Sequence, residues 1–417
     1  MSAHEVPTPI DRVPFFTKGV TIIAVIAGLG IFAYIYRLIF GIGAATNLDN
    51  QYPWGIWIAI DVASGVALAA GGFTTAALAD IFHKEKYHVI VRPALLTALL
   101  GYTFVVIGLL ADLGRYYNVW HPMLPSMWQG NSVLFEVGIC VMVYLTVLYI
   151  EFLPIVAERF GGRVNLPGPL KIFNNLVDSW LKVCHKFLGR FISLFIIAGV
   201  VLSCLHQSSL GTLMVIAPTK MHPLWYSPIS PLMFLMSAIA VGFPMVIFES
   251  LIASRSFKLK PETKILSSIA TYTPILLGAY LAVKIGDLTI REVWPLVFEG
   301  SFRSIMFIIE IVLGVIAPII LLSQSKIRNS VAGLLTSASL VIFGVLLNRI
   351  NVFLTAYTPL YPEGAYFPSI FEIFVTVGLI CALVLVYRFI VLNLPVIAVP
   401  TSDHGSEKTN VSVVKTA

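Results

Sequence analysis

Long apolar runs alternate along the chain with short polar stretches. The runs are about 20 residues each and mostly free of charge, and a run of that length crosses a bilayer as a helix. The pattern predicts spans over 19–40, 54–80, 93–114, 131–155, 187–206, 229–250, 265–285, 301–323, 330–350 and 368–394. Strand-sized alternating segments are absent, which argues against a membrane barrel. The first run follows a polar segment holding Pro7, Pro9, Asp11 and Arg12. It is too long for a signal-peptide core and no small-residue cleavage site follows, so a retained anchor is expected. The prediction is an all-α integral membrane protein of about ten transmembrane helices. The polar tail over 398–417 is expected to be disordered.

Two segments of the chain resemble each other. Tyr52-Pro53-Trp54 opens the second span and His222-Pro223-Leu224-Trp225 precedes the sixth. Gly71-Gly72-Phe73 corresponds to Val241-Gly242-Phe243. Ser132 to Glu136 corresponds to Ser304 to Phe307, with Glu310 beyond. Matching spans enter from the same side, so the pattern suggests a parallel repeat. That divides the chain into a tail (1–18), a first span with its loop (19–53), two four-helix bundles (54–206 and 207–350), a last loop and span (351–397), and the second tail (398–417).

Composition agrees: 58% of the 417 residues are hydrophobic and 12% charged, against roughly a quarter charged in a soluble domain. The net charge of +6 needs no nucleic-acid partner. With the N-terminus in the cytoplasm, 20 of the 27 Lys and Arg residues fall on that side and 7 on the other, as the positive-inside rule asks. An even number of spans then puts both termini inside. The outer loops carry Gln51 to Trp54, Tyr116 to Pro122, His222 to Tyr226 and Tyr357 to Phe367. Such aromatics read either as an interfacial belt or, given their His, Pro and Asn, as a docking platform.

Several chemistries are excluded. Cys140, Cys184, Cys204 and Cys381 have no cluster or zinc spacing, so no iron–sulfur cluster and no metal site is expected in this chain. Among eight histidines only His206 sits near the end of a span. A haem pair needs histidines on facing helices, so a membrane cytochrome b is disfavoured. No glycine-rich phosphate loop is present, which excludes a pump driven by ATP.

Ionisable groups inside spans are costly and usually functional. Asp61 lies on a face with Gly65, Ala69 and Gly72, small residues that permit close helix packing. Asp112 and Arg115 sit one turn apart at the outer end of the third span. Glu136 follows Asn131 into the fourth, and His206 and Gln207 close the fifth beside Ser208 and Ser209. All share one outer level, so a bundle would bring them to one polar pocket. Each also has a plainer reading: an Asp112–Arg115 ion pair, an interhelical hydrogen bond at Asp61, a cap or an Arg115 pair at Glu136, an interfacial His206. Glu310 lies near mid-membrane, two turns past Arg303, as a relay or a structural pair. Thr74, Thr75, Asp80, Tyr144, Thr146 and Glu151 could extend a hydrogen-bonded path inward, although hydroxyls in spans often satisfy only their own backbone.

These stretches resemble the NrfD/PsrC family of quinone-interacting integral membrane subunits. The matching segments are Tyr52 to Asp61, Tyr87-His88 to Ala94, Asp112 to Tyr116, Asn131 to Glu136, His206 to Ser209, His222 to Trp225 and Tyr366 to Pro368. Together they reach from about Phe40 to Pro395 and lie nearest the hydrogenase-linked members. The resemblance implies a menaquinone or ubiquinone site at the outer end of the first bundle. It implies no haem, iron–sulfur cluster or metal in this chain, and a ferredoxin-like iron–sulfur partner on the periplasmic face. Behind that partner stands a hydrogenase, a molybdopterin-type enzyme or a multihaem cytochrome. The implied location is the bacterial inner membrane.

Quinone reduction takes two electrons and two protons, so the ring needs an apolar slot and proton donors within hydrogen-bond reach. Glu136, His206 and Asp112 are the candidate donors. Arg115 and Asn131 would hold a carbonyl, Trp54 or Tyr116 would wall the ring, and Asp61 and Gln207 complete the polar set. Tyr144, Thr146, Glu151 and Glu310 form the expected proton path. The competing class is a proton- or ion-coupled secondary transporter, which ten spans, a repeat and buried carboxylates would suit. Against it stand polar groups gathered at one surface and helices without evident central breaks. A pure anchor with no quinone site is the third reading.

Overall fold

The computed structural model describes residues 7–10, 13–361 and 364–398. The expected disordered tail from 399 onward, Arg12 and the first six residues lie outside the described residues. Among the described residues ten helices are long and apolar enough to cross a membrane. They are α1 (Lys18–Phe40), α2 (Trp57–Ile81), α3 (Glu85–Asp112), α4 (Val133–Phe160), α5 (Lys186–Thr212), α6 (Ser230–Ser256), α7 (Thr263–Ile290), α8 (Phe302–Ser323), α9 (Val331–Thr355) and α10 (Ile370–Asn393). No strand occurs among the described residues, only isolated bridges between Pro7 and Ala398 and between Met221 and Tyr357. Each expected span maps onto one helix, and the chain is an all-α integral membrane protein.

Serine hydroxyls start four of the helices. Ser132, Ser301, Ser330 and Ser369 accept the amide hydrogens of Phe135, Ser304, Gly333 and Glu372, each cap contributing about 1 kcal/mol. The helix ends depart from expectation where charge is buried rather than excluded. α7 continues past Lys284 and Asp287, and α9 continues past Arg349, because all three are buried within the fold. The helix of α5 begins at Asn174, in a stretch too polar for a hydropathy window. α3 begins before Pro93, the sixth residue of its α-helical part, so the helix gives up the bond that residue would have made to the Val89 carbonyl.

α2 packs on α3, α3 on α4, α4 on α5, and α5 returns to α2. A second ring runs α6, α7, α8, α9 and back to α6, and α2 and α5 both lean on α6. α1 pairs with α10, which lies on α3. The small face of α2 performs as its sequence suggests. A side chain at Gly65 or Gly72 would strike Val105 or Ala98 of α3, while Gly101 and Gly108 of α3 receive Ala69 and Asp61.

The expectation of unbroken helices fails in α2. It is wound as a π-helix over Trp57–Ser64 and again over Ala77–Ile81, and the winding is interrupted at Ala69–Ala70. The Ala70 N–H turns back to the Ala67 carbonyl at 3.2 Å. The Val66 carbonyl accepts from Gln207 Nε2 at 2.7 Å. An unsatisfied carbonyl in hydrocarbon costs several kcal/mol, so Gln207 seals the break. Pro7 and Ala398 bridge at the end of the fold here called basic; the opposite end is called aromatic.

Candidate functional site

A line of polar side chains begins at the aromatic end of α4. Glu136 is exposed on the flank of the fold in the first helical turn, and its Oε1 accepts from Ser209 Oγ of α5 at 2.5 Å. His206 and Ser203 follow Ser209 at intervals of three, which places all three on one face. His206 is buried, with Nδ1 3.3 Å from the Tyr102 hydroxyl of α3. The Tyr102 ring meets Tyr144 of α4 edge to face at 4.5 Å, and both are buried. Tyr144 borders a cavity of about 280 Å³ that opens through the basic half of the ring, lined also by Asp80, Arg92, Glu151 and Glu158. Oε1 of Glu151 has no hydrogen-bond partner, and a side chain at Gly199 would come within 2.8 Å of it. Arg92 pairs with Glu158 at 2.8 Å beyond.

The structure thus brings Glu136, His206, Gln207, Tyr144 and Glu151 into one track. Ser209, noted in sequence beside His206, belongs to it, as do Tyr102 and Ser203, which were not singled out. The spacing of Ser203 from His206 on α5 was the available signal; Tyr102 offered none. Thr146 stands apart: it is exposed, and its hydroxyl donates to the Met142 carbonyl at 2.9 Å. His206 is a core residue rather than an interfacial one.

Asp61 and Asp112 face elsewhere. Asp61 Oδ2 accepts from Thr376 Oγ1 of α10 at 2.6 Å. Asp112 makes no ion pair with Arg115, which is exposed. Its electrostatic partners are Arg37 of α1 and Glu372 of α10. Tyr116 donates to the Leu38 carbonyl at 3.3 Å and lies under the Arg37 guanidinium. Asn131 is exposed, and Trp54 is half-buried with its ring 6.1 Å from Phe353. The single expected pocket is therefore two clusters on different faces of α3, one toward α4 and α5, the other toward α1 and α10.

The profile described as "Polysulphide reductase, NrfD" matches residues 44–360. The chain belongs to the NrfD family. It is similar to the "Probable Ni/Fe-hydrogenase 2 b-type cytochrome subunit" of Escherichia coli, 34% identical over 381 residues, covering 90% of this chain and 92% of that one. It is similar to the "Menaquinone reductase, integral membrane subunit" of Nitratidesulfovibrio vulgaris, 31% identical over 198 residues, 47% of this chain and 43% of that one. A third relative is the "Hdr-like menaquinol oxidoreductase integral membrane subunit" of Archaeoglobus fulgidus, 25% identical over 411 residues, 90% of this chain and 92% of that one.

Within this NrfD chain the second ring holds a buried charge network. Glu310 accepts from Trp225 Nε1, Asn348 Nδ2 and Asn351 Nδ2, each at 2.8 Å. Asn348 Oδ1 in turn accepts from Arg349 at 2.6 Å. Lys284 donates to the Leu224 carbonyl at 3.3 Å and stands over the Phe307 ring. The expected Arg303–Glu310 pair does not form; Arg303 donates to the Thr355 carbonyl at 3.1 Å and the Thr358 hydroxyl at 2.9 Å. Lys284 and Arg349 escaped the sequence reading because each sits near a predicted span end, where a cation reads as a loop charge.

At the aromatic end the family motifs meet. Tyr52 stacks on Tyr366 at 6.1 Å, and the Tyr366 hydroxyl accepts from Ile56 N and donates to Glu372. His222 N donates to the Ala356 carbonyl at 2.8 Å, closing the 220–226 loop onto the end of α9. Burial, and then the Arg303 charge, hold the His222 imidazole below the usual histidine pKa, with Glu299 opposing. Its Nδ1 accepts from Leu224 N at 3.4 Å, which requires the neutral ring. A group with a lowered pKa binds more protons when the loop opens, so acid favours opening. As pH falls below about 6.5, amide exchange over 221–226, corrected for intrinsic rate, is expected to rise. His222→Gln is expected to abolish that dependence, and an unchanged profile in the variant would assign it to another group.

Proposed function

We propose that this chain is the quinone-interacting membrane anchor of a respiratory oxidoreductase complex. It passes electrons between an iron–sulfur partner and menaquinone or ubiquinone, with coupled proton transfer, and is not catalytic alone. The observation that carries the reading is the Glu136–Ser209 pair. A carboxylate exposed on an otherwise apolar flank, backed by a buried polar track, is what a ligand entering sideways from the bilayer requires.

The quinone, when bound, supplies two-electron, two-proton chemistry at its carbonyl oxygens. Ser209 fixes Oε1 of Glu136, leaving the second oxygen to hold or release a proton. Trp128 and Phe135, with ring centroids 5.9 Å apart, offer an aromatic wall beside it. Arg115, Asn131, Tyr116 and Trp54 lie at the same end as further binding groups. Protons taken at Glu136 would pass by Ser209, His206, Tyr102 and Tyr144 into the cavity of Glu151 and Asp80. Asp112 and Asp61 form a second acid cluster at the same end, on another face of α3, and in this reading Asp112 serves the quinone site from there as a further proton-holding group. Glu310 stands apart in the other ring, and we assign it to holding that ring together. We take α2 to α5 as the quinone bundle, which the helix of α5 carries past the expected boundary at 206 to Thr212, and α6 to α9 as the second bundle.

Our reading does not carry over the word cytochrome from the name of the E. coli relative. His206 is the buried histidine among the described side chains, and its ring faces Tyr102 rather than a second histidine. These residues do not fit a bis-histidine haem. The four cysteines have no cluster spacing, and in this reading electrons come from a partner. Exposed Tyr117, Trp120, Met123, Leu124, Met127 and Trp128 at the aromatic end supply a surface of the type partners use. By the positive-inside count that end is periplasmic and both termini are cytoplasmic, in the inner membrane. A hydrogenase, molybdopterin-type or multihaem subunit would stand behind the iron–sulfur partner.

The α2 break is a feature a secondary transporter would share, but Gln207 already occupies the carbonyl it frees. Purification of the native complex in mild detergent tests the proposal. An iron–sulfur partner is expected to remain bound, and Trp120→Glu with Met123→Glu is expected to release it while the chain stays in the membrane. A native complex without such a partner would overturn the reading.

A further inference from the structure

α1 looks dispensable to any site. It begins and ends before residue 44, where the family match starts, and Ile22, Val25, Leu29 and Phe32 on it are exposed. Its buried residues are Val20, Ala27, Gly30, Ala33 and Arg37. Arg37 is the exception to the apolar series, and it is fully buried.

Its contacts all fall on one place. Nε donates to the Ala111 carbonyl and Nη2 to the Leu113 carbonyl, both at 2.5 Å. Those carbonyls lie at the end of α3, where the last turn of a helix has no partners of its own and a cation complements the dipole. The guanidinium lies 5.4 Å from the centre of the Tyr116 ring, and the Tyr116 hydroxyl donates back to Leu38. Between the two held carbonyls stands Asp112, an electrostatic neighbour of Arg37. Nη1 of Arg37 and Oδ1 of Asp112 are both buried without a hydrogen-bond partner. A helix end is ordinarily closed by its own backbone or a glycine; here another helix reaches across to close it.

We propose that Arg37 is a positioning residue: α1 delivers it to the end of α3, where it fixes the backbone on both sides of Asp112 and aims that carboxylate for the quinone site. The proposal rests on the reading that Asp112 serves that site. Two forked donors matter as much as the charge, because arginine's planar fork spans two acceptors and lysine's ammonium does not. α1 and α10 are then working parts of the site rather than added anchors, since α10 contributes Glu372 to the same carboxylate.

The test is a double-mutant cycle in the intact complex in native membranes, with electron transfer to an added short-chain naphthoquinone as one readout. The second readout is amide exchange over residues 111–116, which needs no quinone. Arg37→Gln is expected to raise exchange in that segment alone and to lower kcat by about 10-fold to 100-fold, the scale of a displaced catalytic group. Asp112→Asn is expected to lower it similarly, and the pair together to fall no further than Asp112→Asn. Arg37→Lys should recover less than half of the lost rate, and it replaces Arg37→Gln in the cycle if the latter does not assemble. Additive losses, or unchanged exchange over 111–116, would overturn the proposal. Wild-type turnover in Arg37→Gln beside a slow Asp112→Asn would overturn it and leave the quinone reading intact. Wild-type turnover in Asp112→Asn would instead remove Asp112 from the site and the proposal with it.

Discussion

Glu136→Gln is expected to slow quinone-linked turnover by about 10²–10⁴-fold, the usual loss when an acid–base group is removed, while the complex still assembles. Assembly should survive because the amide keeps the shape of the side chain, and its carbonyl can still accept from Ser209. The amide cannot exchange a proton, and the ionisable neighbour one turn on, the Cys140 thiol, stays protonated at working pH. Ser209→Ala should cost less, since it frees the carboxylate without removing it. The measurement is quinone reduction per assembled complex, with proton uptake followed on each side of the membrane. Full turnover in Glu136→Gln, with normal assembly, would show the carboxylate to be structural and move the donor role to His206 or Asp112.

The spans were legible because hydrocarbon imposes one rule on every stretch of chain. Apolar length alone located all ten helices, and the glycine face of α2 announced a close helix contact. What stayed hidden depends on which way a helix is turned. Asp61, Asp112, Glu136 and His206 were assigned one level by counting residues, yet His206 meets Tyr102, ten residues from Asp112 along α3. Their azimuth could not be counted at all, and α3 separates them into two clusters. Arg37, Lys284 and Arg349 were hidden for a related reason. A cation near a span end reads as snorkelling or loop charge, and only tertiary partners turn it inward. Gln207 was picked for its level in the membrane, yet its bond to Val66 answers a break in α2 that no local propensity announced. Thr146 shows the opposite error: a hydroxyl at a plausible level proved to be serving its own helix.

Glu310→Leu is expected to destabilise the second ring by about 3–5 kcal/mol, the cost of removing one partner from a buried charge network. Glu310 accepts three hydrogen bonds from two segments: Trp225 before α6, and Asn348 and Asn351 one turn apart on α9, the latter in the π-helical turn that ends it. Leucine leaves each donor unsatisfied in a dry interior, and unsatisfied donors cost about 1–3 kcal/mol apiece. It also strands two cations. Arg349 reaches Glu310 through Asn348, and Lys284 beside Leu224 has Glu310 and Asp287 as its negative neighbours. Glu310→Gln should be milder, because one amide oxygen can still accept while the charge is lost. If stranded charge is the main penalty, Lys284→Met should restore stability to Glu310→Gln while destabilising the otherwise wild-type chain. That reversal of sign separates a charge lock from a proton relay. Thermal unfolding in detergent and the amount of subunit in membranes give the energies, and proton uptake gives the alternative. A Glu310→Leu protein as stable as wild type, with electron transfer intact and proton uptake lost, would show that Glu310 relays protons and that the lock is an incidental arrangement of neighbours.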